Sequence, residues 1–311
     1  MERTRQLADD IRRVTFRLPL GIDHVHCYLL RAGDGSWTLV DTSLGVPDPE
    51  AQWAPILAEL DGPVERIVVT HYHPDHVGGA ADVAALSGAT VHQGRLDYEQ
   101  CLQVWASDGT AGRVADHFRA HGVPDEEIER VAADNRNVRD LVHFARDPEP
   151  LDPGDRIDGW EVVHLPGHAD GHLSLLRDGV LIAGDTILSG ITPTVGLWPN
   201  MDPDPLGDYL SSLGRIVELD PGIAYAGHGL AIESPAARAR QIAEHHEERL
   251  DKMHAALADG PRNAYDVSLD VFGDELSAGQ RRFAVAESLA HLEHLSRRGR
   301  AVRHDVLWHA S

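Results

Sequence analysis

The segment Thr70-His71-Tyr72-His73-Pro74-Asp75-His76 brings four potential metal-ligating side chains into six residues. In an extended stretch, residues two apart project to the same side, so His71 and His73 can aim their imidazoles at one point. Pro74 fixes its own φ and interrupts the extension. Asp75 and His76 can then face a second, adjacent point, and Gly78 and Gly79 let the chain turn tightly afterwards. Nitrogen and oxygen donors split between two directions suit a pair of borderline divalent ions. Two coordination shells need further donors, and three candidates share one local pattern of β-like run, glycine, polar residue. They are His168 after Gly167, Asp185 after Gly184 and His228 after Gly227. Glycine at such a turn permits close packing and unusual backbone angles. His172 follows the same turn as His168; the position directly after Pro-Gly favours His168 as the ligand, with His172 orienting a neighbour.

The elements that must hold these residues alternate between strand and helix. His26–Leu30 and Trp37–Val40 read as paired strands across Gly33-Asp34-Gly35. A helix over Pro49–Leu60, a strand over Val64–Thr70, a helix over Val77–Ser87 and a short strand over Ala89–His92 follow. That order is the signature of a layered α/β fold. Asp97–Phe144 is polar and rich in helix formers, which predicts a helical insertion. Strands resume at Arg156–Ile157, Glu161–Leu165, Ser174–Leu176, Val180–Ala183 and Ala224–Tyr225. Pro235–Leu257 reads as one long helix capped by Ser234, with Pro235 at its first position. Asp266–Phe272 predicts a short helix. Ser277–Arg297 predicts an amphipathic one with Phe283, Leu289, Leu292 and Leu295 as its apolar stripe. Ala301–His309 reads as a small hairpin, so helices followed by a β wing suggest a winged-helix-like tail.

These residues identify a resemblance to the metallo-β-lactamase superfamily, whose pattern is HxHxDH followed by single His, Asp and His residues. The match runs over roughly Val14–His228. It implies an αββα sandwich, here with a helical insertion at about 97–145 in a catalytic domain at 1–233. A C-terminal winged-helix-like module would occupy 234–311. It further implies that His71, His73 and His168 hold one metal, that Asp75, His76 and His228 hold the other, and that Asp185 bridges them. Asp41 would support the metal loop from behind, and Asp75 would also orient the nucleophile or relay a proton. The implied cofactor is two divalent ions, zinc first, with iron or manganese as alternatives. Such a pair supplies a water-derived nucleophile near neutral pH and polarises a carbonyl or phosphoryl oxygen.

The expected reaction is hydrolysis of a small-molecule ester, thioester or lactone, in the manner of glyoxalase II-like and lactamase-like enzymes. Neither a GxSxG elbow nor a P-loop offers a rival apparatus. Alternatives are a metal-dependent endoribonuclease or phosphodiesterase, a mononuclear iron persulfide dioxygenase and a metal-sensing winged-helix regulator. The flavo-diiron branch places Glu where this chain has His73. The net charge of -22 from 28 basic and 50 acidic residues disfavours nucleic acid and anionic membranes as partners. A nuclease would need a basic face in the tail, for which Arg281, Arg282, Arg297, Arg298, Arg300 and Arg303 are the candidates. A tail used for packing or for a homodimer is favoured. Cys27 and Cys101 cannot form a disulfide framework and suggest a reducing compartment. Residues 1–20 lack the apolar core of a secretory signal, so the expectation is a cytoplasmic protein. Of the 20 histidines, His245, His246, His254, His291 and His294 read as surface groups. Tyr72 and Tyr225 adjoin the candidate ligands, either to meet substrate or to pack; no residue is assigned to substrate binding.

Overall fold

A computed structural model describes residues 3–19, 21–46, 48–134 and 138–311. The chain opens with β1 (Thr4–Ala8), β2 (Ile11–Arg17), β3 (His24–Arg31) and β4 (Trp37–Val40), paired in that order as an antiparallel meander. The turn at Gly33–Gly35 joins β3 to β4 as its sequence predicts, whereas β1 and β2 carry no comparable signal and extend the meander beyond the expected pair. α1 (Pro49–Ala58) crosses to β5 (Val64–Val69), and α2 (Pro74–Val77) and α3 (Ala80–Ser87) cross to β6 (Thr90–Gly94). The predicted helix over Val77–Ser87 is thus split at Gly78-Gly79, with α2 built from the metal motif itself.

The insertion is helical: α4 (Arg95–Cys101), a π-helical turn at Leu102–Ala106, α5 (Thr110–Arg119), α6 (Asp125–Asp134) and a short 3-10 turn at Arg139–Leu141. Residues 135–137 of the expected insertion lie outside the described residues. β7 (Glu149–Leu151) then returns to pair parallel with β6 and closes a seven-stranded sheet in the order β1-β2-β3-β4-β5-β6-β7. A second sheet runs β12-β11-β10-β9-β8, from β8 (Arg156–Ile157), β9 (Trp160–His164), β10 (Leu173–Arg177), β11 (Val180–Gly184) and β12 (Ile223–Ala226). α7 (Pro205–Leu219) makes the parallel crossover from β11 to β12. Its N-cap is Asp204, whose carboxylate accepts from Gly207 N.

Burial divides into three layers. Tyr28, Leu30, Val40 and Val68 of the first sheet meet Trp160, Val162, Leu175 and Ile182 of the second in a shared core. Leu29, Leu39, Ile67 and Val69 face the other way, against Trp53 and Ile56 of α1 and Val83 of α3. Leu181 and Ala183 pack outward against α7 and the tail helices. Strands buried on both faces read as continuous apolar runs rather than alternating ones, as in Cys27–Leu30. The result is a helix-sheet-sheet-helix sandwich, and its candidate donors follow the ends of β5, β9, β11 and β12.

The tail comprises α8 (Pro235–Ala256), α9 (Ala264–Phe272), α10 (Ala278–Arg297) and the hairpin β13 (Ala301–His304) with β14 (Leu307–Ala310). Ser277 caps α10 in a reciprocal box with Gln280. Ser234 stands at the predicted cap of α8, but its hydroxyl makes no capping hydrogen bond. Three expectations are corrected here. Phe283 is 47% exposed and lies outside the buried stripe. His246 and His291 are fully buried rather than on a solvated face. Arg281 is buried and donates to Ser268 Oγ at 3.1 Å and to Gly273 O. For the two histidines and Arg281 the cause is shared: α10 packs against α6, α7, α8 and α9, so most of its circumference is interior.

Candidate metal centre

The strand β5 delivers the motif already clamped. Asp41, directly after β4 and in the left-handed region at φ 62°, accepts from Thr70 N and Thr70 Oγ1, both at 2.8 Å. Its Oδ2 also meets His76 Nδ1 at 2.8 Å. Parallel pairing of β4 with β5 brings Asp41 beside Thr70, and a strand end has no further ladder bonds to offer, so the carboxylate supplies them. Asp41 thus braces both halves of the motif. Tyr72 is buried with its amide donating to Asp97 Oδ1 at 2.8 Å, and Tyr225 is buried between the sheets.

His71 Nε2 and His73 Nδ1 stand 3.0 Å apart, and with His168 they offer three donor atoms within 4.8 Å of one another. Asp75, His76 and His228 form a second such group, and His71, His76 and Asp185 a third that joins the two. Asp185 Oδ2 lies 3.1 Å from His228 Nε2, 3.5 Å from His76 Nε2 and 3.8 Å from His168 Nε2. Asp75 Oδ2 is 3.3 Å from His228 Nε2. All seven sequence candidates meet at one edge of the sandwich.

The outer nitrogens are committed elsewhere. His168 Nδ1 donates to Thr194 O at 2.8 Å and His228 Nδ1 to His24 O at 2.6 Å. His76 Nε2, His168 Nε2, His228 Nε2 and Asp185 Oδ1 are buried without a hydrogen-bond partner among the described residues. Buried polar atoms left unsatisfied are costly, and here they converge on one space. An imidazole that gives its outer N–H to a carbonyl or carboxylate and turns the other nitrogen inward is prepared for a metal. His172 differs: its Nε2 accepts from Asp185 N at 3.0 Å and its Nδ1 meets Thr186 Oγ1 at 3.1 Å. Both nitrogens are occupied, and the ring fixes the backbone of Asp185.

The electrostatics divide the centre into unlike halves. Burial, reinforced by neighbouring imidazoles, holds His71 well below the ordinary histidine range; burial likewise lowers His73 and His168. Those rings keep their lone pairs. Burial also opposes charge on His76 and His228, but the nearby carboxylates outweigh it, holding His76 well above its usual range and His228 at about 10. Against the same burial penalty, His228 and His76 hold Asp185 well below the carboxylate range. One half presents neutral nitrogen donors; the other demands positive charge. Both conditions fit divalent ions.

Several supporting groups carry no sequence signal: His24, whose carbonyl fixes His228 and whose Nε2 accepts from Gly229 N at 2.9 Å, and Asp97, Gln100 and Asp170, which tie the insertion to the loops of the centre. The glycines are more legible. A Cβ on Gly227 would fall 2.3 Å from Asp185 Oδ1, and one on Gly184 would fall 2.6 Å from His172 Nε2.

A further group, His246, Glu287 and His291, also brings donors within 4.8 Å of one another. Most of its polar atoms are engaged within the chain, although His246 Nε2 is buried without a hydrogen-bond partner among the described residues. Arg249 neutralises Glu287, His291 Nδ1 donates to Glu287 O at 2.7 Å, and His246 Nδ1 lies 3.0 Å from His291 Nε2. This is a polar seam between α8 and α10.

Comparison with known proteins agrees with the geometry. Residues 20–228 match the metallo-beta-lactamase superfamily, and residues 250–306 match the metallo-beta-lactamase-like C-terminal domain. A metallo-beta-lactamase family protein from Thermus thermophilus is 34% identical, with a TM-score of 0.85 covering 98% of this chain and 100% of that one. A probable metallo-hydrolase of Bacillus subtilis is 26% identical over 85% of this chain and 86% of its own length. An atrochrysone carboxyl ACP thioesterase of Passalora fulva is 24% identical over 79% of this chain, which spans 63% of that protein. With its motif order, its sandwich and a match over most of its length, the chain belongs to the metallo-beta-lactamase superfamily and is a metal-dependent hydrolase.

Proposed function

We propose that this protein holds two divalent ions, zinc first among them, and hydrolyses a thioester, ester or lactone. In this reading His71, His73 and His168 hold one ion, Asp75, His76 and His228 the other, and Asp185 spans both. The observation that carries it is the position of Asp185 Oδ2, within 3.1 to 3.8 Å of nitrogens from both halves. Bound there, the ions supply Lewis acidity toward a carbonyl oxygen and lower the pKa of water to about 7. The chain's own part is placement. Asp41 and His172 hold the motif and Asp185 in register, and Asp75, 14% exposed at its side chain, is the carboxylate that orients the attacking water or relays its proton.

An acyl substrate is favoured over a phosphodiester by the fate of the tail's arginines. Arg281 is buried, Arg298 pairs with Glu247 and Arg300 with Asp251, each pair at 2.8 Å. Those cations serve internal partners. The thioesterase name of one relative points the same way. Acyl thioesters, lactones, β-lactams and short RNAs offered to zinc-loaded protein test the reading. Thioester or lactone cleavage is expected, lost in His73→Ala and Asp185→Asn. RNA cleavage without acyl hydrolysis, or one iron per chain by elemental analysis, overturns it.

A further inference from the structure

The three-histidine half of the centre depends on two loops from different sheets, the one after β5 and the one between β9 and β10. We propose that α4 is a bracket that sets the separation of those loops, with Asp97 and Gln100 as its positioning residues. The two lie one turn apart on the same helix face, and both are buried. Asp97 Oδ1 accepts the amide N–H of Tyr72, the residue between His71 and His73, at 2.8 Å. Trp105 Nε1, from the π-helical turn that continues α4, donates to Tyr72 O at 2.8 Å. Both polar backbone groups of Tyr72 are therefore held by the insertion.

Gln100 reaches the other loop. Its Nε2 donates to Asp170 Oδ2 at 2.8 Å, two residues beyond His168, and the same oxygen accepts Asp202 N at 2.9 Å. The helix start also rests directly on that loop, because a Cβ on Gly171 would lie 2.4 Å from Asp97 N. Gln93 Nε2 fixes the second oxygen of Asp97 at 2.6 Å. None of these bonds reaches Asp75, His76 or His228; His76 is braced instead by Asp41 and His228 by His24. Metal sites tolerate displacements of only about 0.2 Å in ligand distance, so a loosened bracket weakens one half and spares the other.

The inference rests on the two-ion reading for the number of ions, and the experiment separates the two. Cobalt(II) titration of the metal-free full chain, followed by absorption and elemental analysis, is run on wild type, Asp97→Ala, Gln100→Ala and Asp97→Asn. Expected is a loss of about tenfold to a hundredfold in affinity at one of two sites in the alanine variants. Adding His168→Ala to Asp97→Ala then abolishes the weakened site and leaves the tight one, whereas adding His228→Ala abolishes the tight one and leaves the weakened one. Asp97→Asn restores binding, because its carbonyl still accepts from Tyr72 N and Gln93 Oε1, which has no hydrogen-bond partner among the described residues, can turn to accept from the new amide. Gln100→Ala cuts only one surface of the bracket and covers the case in which Asp97→Ala fails to fold. Unchanged affinity at both sites, equal weakening of both, or no rescue by Asn overturns the bracket. A wild type that binds one ion overturns the two-ion reading instead; the bracket then stands if Asp97→Ala weakens that ion tenfold and falls if it does not.

Discussion

His76, His168 and His228 each commit Nδ1 to an oxygen outside the centre and turn Nε2 inward, so the rings are oriented before any ion binds. Preorganisation of this kind makes single substitutions informative. Asp41→Ala removes the brace from Thr70 and His76 without touching an ion, and is expected to weaken metal binding by about tenfold to a hundredfold in a zinc-chelator competition. Gly227→Ala acts by volume: its methyl collides with Asp185 Oδ1 and His76 Cε1. The expected outcome is loss of bound metal with retained far-ultraviolet circular dichroism; full metal content would contradict that geometry. At this scale the sequence was highly legible. The donors announce themselves by type and by the glycine before three of them. Asp97 and Gln100 do not, since an acid and an amide in a helix are ordinary until tertiary structure places them against a loop.

Among the elements, the seam between α8 and α10 sets a pH dependence. Burial lowers His246 to about 3 from 6.5, and burial likewise pushes His291 well below that value. The unfolded chain takes these protons near 6.5 while the folded chain refuses them, so the unfolded state binds more protons below that pH. Stability contributed here is complete above 6.5 and declines as pH falls toward 3. Arg249 and Glu287 face the same seam, and burial raises the Glu287 carboxyl, a shift that acts in the opposite sense as pH falls. Acid unfolding monitored by tryptophan fluorescence should shift to lower pH in His246→Gln paired with His291→Gln; an unchanged midpoint would refute the assignment. The sequence concealed this seam because α8 carries many Glu and Arg residues and α10 is interior around most of its circumference. Periodicity identifies a buried face only where the other face meets water.

For the whole molecule, ions that bind the folded chain and not the unfolded one add stability by mass action, about 2.7 kcal/mol at a hundred times Kd. Chelation should therefore lower Tm by several degrees and zinc restore it, whereas the Asp185→Asn variant should show a much smaller response by differential scanning fluorimetry. Among the described residues no helix is long and apolar enough to cross a membrane. By itself the sequence picked out the candidate donors that the fold brings together, the alternation of strand and helix and the family, because ligand chemistry demands particular residue types and the turns that present them demand glycine. It also located the insertion and the helices and hairpin of the tail. Only the tertiary structure decided that β1 and β2 extend the first sheet, that His246 and His291 are interior, and that α4 clasps two loops from different sheets. Each of those depends on what lies opposite a residue across the core, and contacts between segments tens of residues apart leave no local pattern to read.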